Sequence, residues 1–232
     1  MTGPPFSDRL EEVLSTIRRA EVQSGRPPQS VSLLPVTKGH PPELAQLATT
    51  AGLTRLGENY VQECSAKNRF LQAAGAAPVS WHLLGHLQRN KVRRATQLFQ
   101  LVESVDSLEI ARQLSLARAG QAKLSVLCEV EFTGLPYRTG FEPARLEEQF
   151  SQLLELPGIE VEGLMTVAAP GQAGPAFSAC RELSTRLREL SGRRLPTLSM
   201  GMSGDFQAAV AEGSTQVRIG SRLFGNRPSS AS

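Results

Sequence analysis

Apolar positions along the chain change period many times, and the changes predict an alternation of helices and strands. Leu10, Val13, Leu14 and Ile17 recur at helical spacing, which predicts an amphipathic helix over residues 9–23. Short apolar runs then predict strands at 32–37, 55–57, 81–85, 99–105, 124–131, 159–166, 197–200 and 215–220. Between them, stretches with helical periodicity fall at 43–51, 61–73, 89–95, 108–118, 143–155, 175–190 and 205–212. Eight strands separated by helices in 232 residues is the count of an α/β (β/α)8 TIM barrel, here a single domain with an additional N-terminal helix. Residues 1–30 are then a helix packed on the barrel, 31–225 the barrel, and 226–232 a flexible tail. An open doubly wound sheet is the alternative, but the Gly-x-Gly-x-x-Gly turn expected after its first strand is absent. Pro35 conflicts with a regular first strand, because it cannot donate a ladder hydrogen bond; a bulge or an unpaired position is expected there.

Composition narrows the function classes. Hydrophobic content of 40% and charged content of 20% are ordinary for a globular chain. A net charge of +3, with basic residues scattered or in short pairs such as Arg93-Arg94 and Arg193-Arg194, argues against a nucleic-acid partner. No apolar run approaches the roughly 18 residues that span a bilayer, so no membrane partner is expected. The early Asp8, Glu11 and Glu12 do not fit a signal peptide, which makes a cytoplasmic location the expectation. Cys64, Cys128 and Cys180 are far apart and odd in number, and read as buried reduced thiols. His82 and His86 lack nearby Cys, Asp or Glu to complete a ligand set, so no metal site is expected.

The chemistry then concentrates at strand ends, where barrel enzymes keep it. Lys38 closes the first strand, in a chain with only four lysines (Lys38, Lys67, Lys91 and Lys123) and many arginines. A lysine there is ordinarily a solvated surface charge, yet its amine can also lose a proton and attack a carbonyl, which arginine cannot do. Asn59, His82 and Met165 end later strands. Ser203 stands where an N-cap belongs, before Phe206, Ala209 and Val210; plain capping and anion binding at a helix start both remain open. Asp205 in that turn would repel an anion. On the last strand the two-residue period sends Val217 and Ile219 outward and Arg218 into the mouth, followed by Gly220 and Ser221. Loops after strands 7 and 8 are the recurrent phosphate site of this fold. A lysine able to form a Schiff base, with a phosphate cup elsewhere at the same mouth, describes pyridoxal 5′-phosphate (PLP).

Several motifs in fixed order carry a family resemblance. Leu34-Pro-Val-Thr-Lys38, Gly57-Glu-Asn-Tyr-Val-Gln62, Trp81-His-Leu-Leu-Gly-His-Leu-Gln-Arg-Asn-Lys91, Gly163-Leu-Met-Thr166, Leu198-Ser-Met-Gly-Met-Ser203 and Val217-Arg-Ile-Gly-Ser-Arg-Leu-Phe-Gly225 resemble the pyridoxal phosphate homeostasis protein family, the YggS-like group. The similarity runs from about Leu33 to Gly225. It implies the barrel of alanine racemase, PLP held as a Schiff base by Lys38, and a carrier or buffer role without established turnover. It also implies phosphate contacts from Ser203, Gly220 and Ser221, with Arg218 facing the pyridine nitrogen and Asn59 and His82 lining the ring. Two departures stand out. Glu129-Val130-Glu131 replaces a usual Gln-x-Asn pair, and Arg138-Thr139-Gly140 a usual Lys-x-Gly. Pro35 and Arg222 also replace residues that are usually small.

The partners implied are PLP itself and PLP-dependent apo-enzymes as acceptors, with a monomer or weak dimer expected. The rival from another class is an amino-acid racemase, which needs a second acid or base on the opposite ring face. Alanine racemase-like enzymes take it from a separate β-domain of a partner subunit. With only Tyr60 and Tyr137, and an end soon after the eighth strand, this chain is not expected to supply one. A phosphosugar barrel enzyme using Lys38 as an aldolase-like base is a third reading.

Overall fold

In a computed structural model that describes residues 4–135 and 137–227, the alternation predicted from period closes into a barrel. Strand β1 is Ser32–Pro35, β2 Arg55–Glu58, β3 Ser80–Leu83, β4 Leu101–Val105, β5 Leu124–Glu129, β6 Ile159–Met165, β7 Thr197–Ser199 and β8 Gln216–Ile219. The helices are α1 Phe6–Gln23, α2 Pro42–Thr50, α3 Val61–Ala73, α4 Val92–Leu98, α5 Leu108–Ala117, α6 Pro143–Leu154, α7 Ala173–Ser191, α8 Phe206–Ala211 and α9 Ser221–Phe224. All neighbouring strands pair in parallel, in the order β1-β8-β7-β6-β5-β4-β3-β2. A single bridge, Val36 to Gly57, joins β1 to β2 and completes the circle.

Pro35 explains why that seam is thin. The N–H groups of Ser32 and Val36 donate to Thr215, just before β8, and to Ile219 on β8, while that of Thr37 donates to Gly57 on β2. The alternation puts the missing N–H of Pro35 on the β2 side. No bulge is needed; the ladder is simply interrupted there.

Helix α1 is amphipathic as its period requires, burying Phe6, Val13, Ile17 and Ala20, and it packs against α8 and α9. Its buried Glu21 accepts from the backbone N–H groups of Gln29 and Val31 and pairs with Arg18. Arg26 donates to the carbonyls of Val210 and Ser214 at the end of α8. Proline at the start of α2 and of α6 fits the helix geometry without removing a needed donor. Helix α9, of four residues, is too short to show a period in the sequence. Residues 89–91 form a 3-10 turn before α4, where a continuous helix was expected.

The outer face of the sheet and the inner faces of the helices share one apolar core. Inside the barrel the residues are more mixed: Leu101, Leu127 and Met165 form a small apolar cluster beside a polar network described below. The three cysteines are buried and free. Burial pushes the thiols of Cys128 and Cys180 up to about 12, so they are poor nucleophiles. Among the described residues, no helix is long and apolar enough to cross a membrane. Residues 228–232 of the expected tail lie outside the described ones.

Gly163 marks a shift of register between β5 and β6, where Val126 pairs with Val161 but Leu127 with Gly163. A Cβ at this position would lie 1.8 Å from the carbonyl oxygen of Thr197 on β7. Gly163→Ala is therefore expected to destabilise the fold by about 1–3 kcal/mol or more. A denaturant midpoint equal to that of the parent chain would contradict this.

Candidate functional site

At the C-terminal ends of the strands lies a cavity of about 690 Å³. Val36, Lys38 and His40 line it from the end of β1, and Asn59 from the end of β2. Leu84, Gly85 and His86 follow β3, while Glu129, Arg138 and Thr139 come from the end of β5 and the loop after it. Met165 and Val167 end β6. Met202, Ser203 and Gly204 follow β7; Arg218, Gly220 and Ser221 belong to β8 and the start of α9. Gly225, Asn226 and Arg227 complete the wall.

Seven of the eight residues singled out from sequence thus meet in one cavity: Lys38, Asn59, Met165, Ser203, Arg218, Gly220 and Ser221. His82 does not line it. Its side chain is buried on β3, and Leu84, two residues on and facing the same way, takes the wall position. Ser203 is not the cap of α8 either. Asp205 stands at that position, and its carboxylate accepts from the N–H of Met202 at 2.6 Å, closing the turn.

Lys38 is half-buried. Burial lowers its pKa, and the guanidinium of Arg227 lowers it further, against the opposing pull of Glu58 and Glu63. Its backbone is held from outside the barrel. The ammonium of Lys67, on α3, donates to the carbonyl of Thr37 at 2.6 Å and pairs with Glu58. The Thr37 hydroxyl donates to Glu58 at 2.5 Å. The N–H of Gly39 donates to Glu63, also on α3, at 2.9 Å. Gly39 has φ of +70°, and a Cβ there would meet the Cδ of Arg227 at 2.8 Å; the glycine gives Arg227 room over the loop. Phe224 of α9 stacks on Phe6 of α1 and lies 5.6 Å from His40, backing this side of the cavity.

Arg218 is anchored on the other side. Its Nη1 donates to the carbonyl and the hydroxyl of Ser199, at 2.6 and 2.8 Å, and its Nη2 to the carbonyl of Thr166 at 2.8 Å. A guanidinium has five N–H donors, so the N–H of Nε and one of Nη2 are left over. Beneath it, Glu103 is fully buried and accepts from Nδ1 of His82 at 2.7 Å, the hydroxyl of Ser199 at 2.5 Å and the amide of Gln216 at 2.8 Å. Burial alone would raise the Glu103 carboxyl; the bond and charge of His82, the charge of Arg218 and the Ser199 bond hold it below the usual range.

Two of the loops that line the cavity carry backbone donors without a partner among the described residues. Among the described residues, the N–H groups of Ser203, Gly204, Gly220 and Ser221 have no protein acceptor. Arg222 does not line the cavity: its Nε donates to the carbonyl of Ser203, and its guanidinium lies 5.3 Å from the centre of the Phe206 ring. Such clustered N–H groups suit a phosphate. Of the two added glutamates, Glu131 folds back to accept from Thr133 and Gly134, whereas Glu129 lines the cavity. Among the described residues no three of His, Cys, Asp or Glu are grouped to hold a metal ion.

Sequence reasoning did not place His40, His86, Arg138 or Arg227 on the wall, nor Lys67 and Glu103 behind it. Lys67 left one signal: it is one of four lysines and falls on the inward face of α3, beside Cys64 and Leu71.

The chain that builds this barrel matches, over residues 10–228, the family described as alanine racemase, N-terminal domain. Within that family, the chain is 39% identical over 226 residues to the pyridoxal phosphate homeostasis protein of Pseudomonas aeruginosa, covering 96% of each chain. It is 36% identical to the protein of that name in Escherichia coli K12, covering 96% of this chain and 97% of that one. The chain belongs to the pyridoxal phosphate homeostasis protein family. PipY of Synechococcus elongatus, solved with PLP bound, superposes with a TM-score of 0.79 at 37% identity, over 90% of this chain and 99% of that one.

Removing Lys67 would leave Glu58 buried, with Oε2 already lacking a partner among the described residues. Lys67→Met should cost about 3–5 kcal/mol. Adding Glu58→Gln should recover part of that loss, since no carboxylate is then left unpaired. Additive losses in a denaturation double-mutant cycle would refute the coupling.

Proposed function

We propose that this chain holds PLP in the barrel-mouth cavity as a Schiff base with Lys38, and that it acts in intracellular PLP homeostasis as a carrier or buffer rather than as an enzyme. The observation that carries the reading is the pairing, in one cavity, of a half-buried lysine and four backbone N–H groups without protein acceptors among the described residues. The residues fit the group. A lowered pKa raises the fraction of free amine available to an aldehyde, and the N–H cup satisfies a phosphate without a metal ion. PipY, which shares the fold at 37% identity, supports the identity of the ligand.

In this reading Ser203, Gly220 and Ser221 hold the phosphate, Arg218 meets the ring nitrogen with its spare N–H groups, and Asn59 and Met165 form walls. His82 acts from behind, through Glu103 and Ser199, by fixing Arg218. The bound group supplies an aldehyde carbon and an electron-accepting ring. A guanidinium beside the ring nitrogen opposes protonation there and weakens that electron sink. It disfavours chemistry that needs a stabilised carbanion, which supports holding over turnover. PLP-dependent apo-enzymes of the cytoplasm are the acceptors we assign.

Borohydride treatment of the PLP-loaded protein followed by mass spectrometry should place one pyridoxyl group on Lys38. An adduct on another lysine, with none on Lys38, would sink the proposal. A panel of amino acids should show no rapid α-proton exchange; fast exchange would favour the racemase reading.

Arg227→Ala removes the nearby cation that depresses Lys38. Because the amine reacts unprotonated, the pH profile of adduct formation should move to higher pH in this variant. A profile that stays put or moves down would show that Arg227 does not govern the lysine.

A further inference from the structure

Glu129 is a wall residue whose chemistry the cofactor reading leaves unused. It ends β5 and lines the cavity. Its Oε2 is enclosed and, among the described residues, has no hydrogen-bond partner. Its Oε1 has a single weak contact, 3.4 Å from the hydroxyl of Thr139, another wall residue.

The charged groups around Glu129 do not compensate for this. Asp106, after β4, is of the same sign and already accepts from Nδ1 of His86 at 2.7 Å. Arg218 on β8 and Arg138 in the loop after β5 act on the carboxyl at a distance, and neither forms an ion pair with it among the described residues. Met165, its neighbour on β6, carries no charge. Lys38 lines the same cavity from β1. Burial, and then the charge of Asp106, push the Glu129 carboxyl up to about 7. An enclosed oxygen without donors suits the carbonyl half of a neutral acid, which puts the proton on Oε1, beside Thr139.

We infer that Glu129 is a carboxylic acid in the ligand-bearing protein, donating a hydrogen bond from Oε1 to an acceptor atom of a phosphate-bearing pyridine ligand, and that loss of this proton weakens the ligand's hold. The inference rests on the cofactor reading. Ionisation places a negative charge on the wall of a cavity that already holds an anion. One unit charge roughly 10 Å from another, at an effective dielectric near 20, changes affinity on the order of tenfold. The neutral acid and a glutamine side chain have nearly the same shape and both donate and accept, so Glu129→Gln imitates the protonated state at every pH.

The test uses pyridoxine 5′-phosphate, which carries an alcohol in place of the aldehyde and so separates this effect from the titration of Lys38. Calorimetry of its binding to the parent chain and to Glu129→Gln is compared from about pH 6 to about pH 8.5, a window that brackets the carboxyl's midpoint. The variant's advantage should grow on the order of tenfold across the window; a constant ratio overturns the inference. In parallel, carbon-13 NMR of the carboxyl carbons, with the Glu129 signal identified by its loss in the variant, should show a midpoint near 7 in the ligand-free chain. A midpoint in the ordinary glutamate range of about 4.3 overturns the protonated acid while leaving the cofactor reading intact. Failure of both pyridoxine 5′-phosphate and PLP to bind the parent chain overturns the cofactor reading and the release coupling together, whatever the NMR midpoint.

Discussion

The carbonyl of Thr37 and the ammonium of Lys67 form the contact on which both barrel and site depend. Pro35 removes a donor where β1 should pair with β2, so the circle of strands is closed by one bridge at Val36. Helix α3 compensates from outside, with Lys67 gripping Thr37 and Glu58 at once and Glu63 holding Gly39. The residues on either side of Lys38 are thus fixed by one helix, and the lysine side chain is left to the cavity. A buried ion pair of this kind contributes little net stability, since desolvating two charges offsets most of their attraction. Its effect is positional. A strand end that the sheet holds weakly is given a defined backbone, and with it a defined starting point for the lysine.

The opposite wall follows the same logic with different chemistry. Arg218 could not be buried as a bare charge, and three of its donors are taken by Ser199 and Thr166. Ser199 is itself tied to Glu103, which also binds His82 and Gln216. The barrel interior is therefore polar where the site needs a rigid cation, and apolar at Leu101, Leu127 and Met165. A buried carboxylate with three donors keeps its charge, and a guanidinium with two donors to spare can face a ligand without shifting.

Much of this was legible in the residues. The period of two on β8 placed Arg218 inside and Val217 and Ile219 outside. The eight apolar runs became the eight strands, with ends moved by a few residues. Lys38, Ser203, Gly220 and Ser221 share a mouth because parallel strands deliver their C-terminal ends to one face. What could not be read depends on distance or on fine direction. The grip of Lys67 on Thr37 joins residues thirty apart in the chain, and no local pattern announces it. His82 on β3 and Leu84 just after it are two residues apart and face the same way, so period alone could not decide which reaches the cavity. Ser203 reads as a cap until Asp205 is seen to close the turn itself. Arg227 fell in what reads as a tail, yet it lies over Gly39 and shapes the charge at Lys38.

One physical condition acts on two wall residues with opposite results. Partial burial disfavours charge whatever its sign, so it lowers Lys38 and raises Glu129. In bulk water these groups would stand as ammonium and carboxylate; in the cavity both are drawn toward neutrality. The charges that persist are those held by several hydrogen-bond partners, above all Arg218 and Glu103. A ligand entering this cavity therefore meets a fixed cation and a cup of N–H dipoles, alongside an amine and an acid that are easily neutralised. Such a wall accepts an anion without requiring a mobile countercharge. The same burial favours the neutral amine of Lys38, the form that can attack a carbonyl.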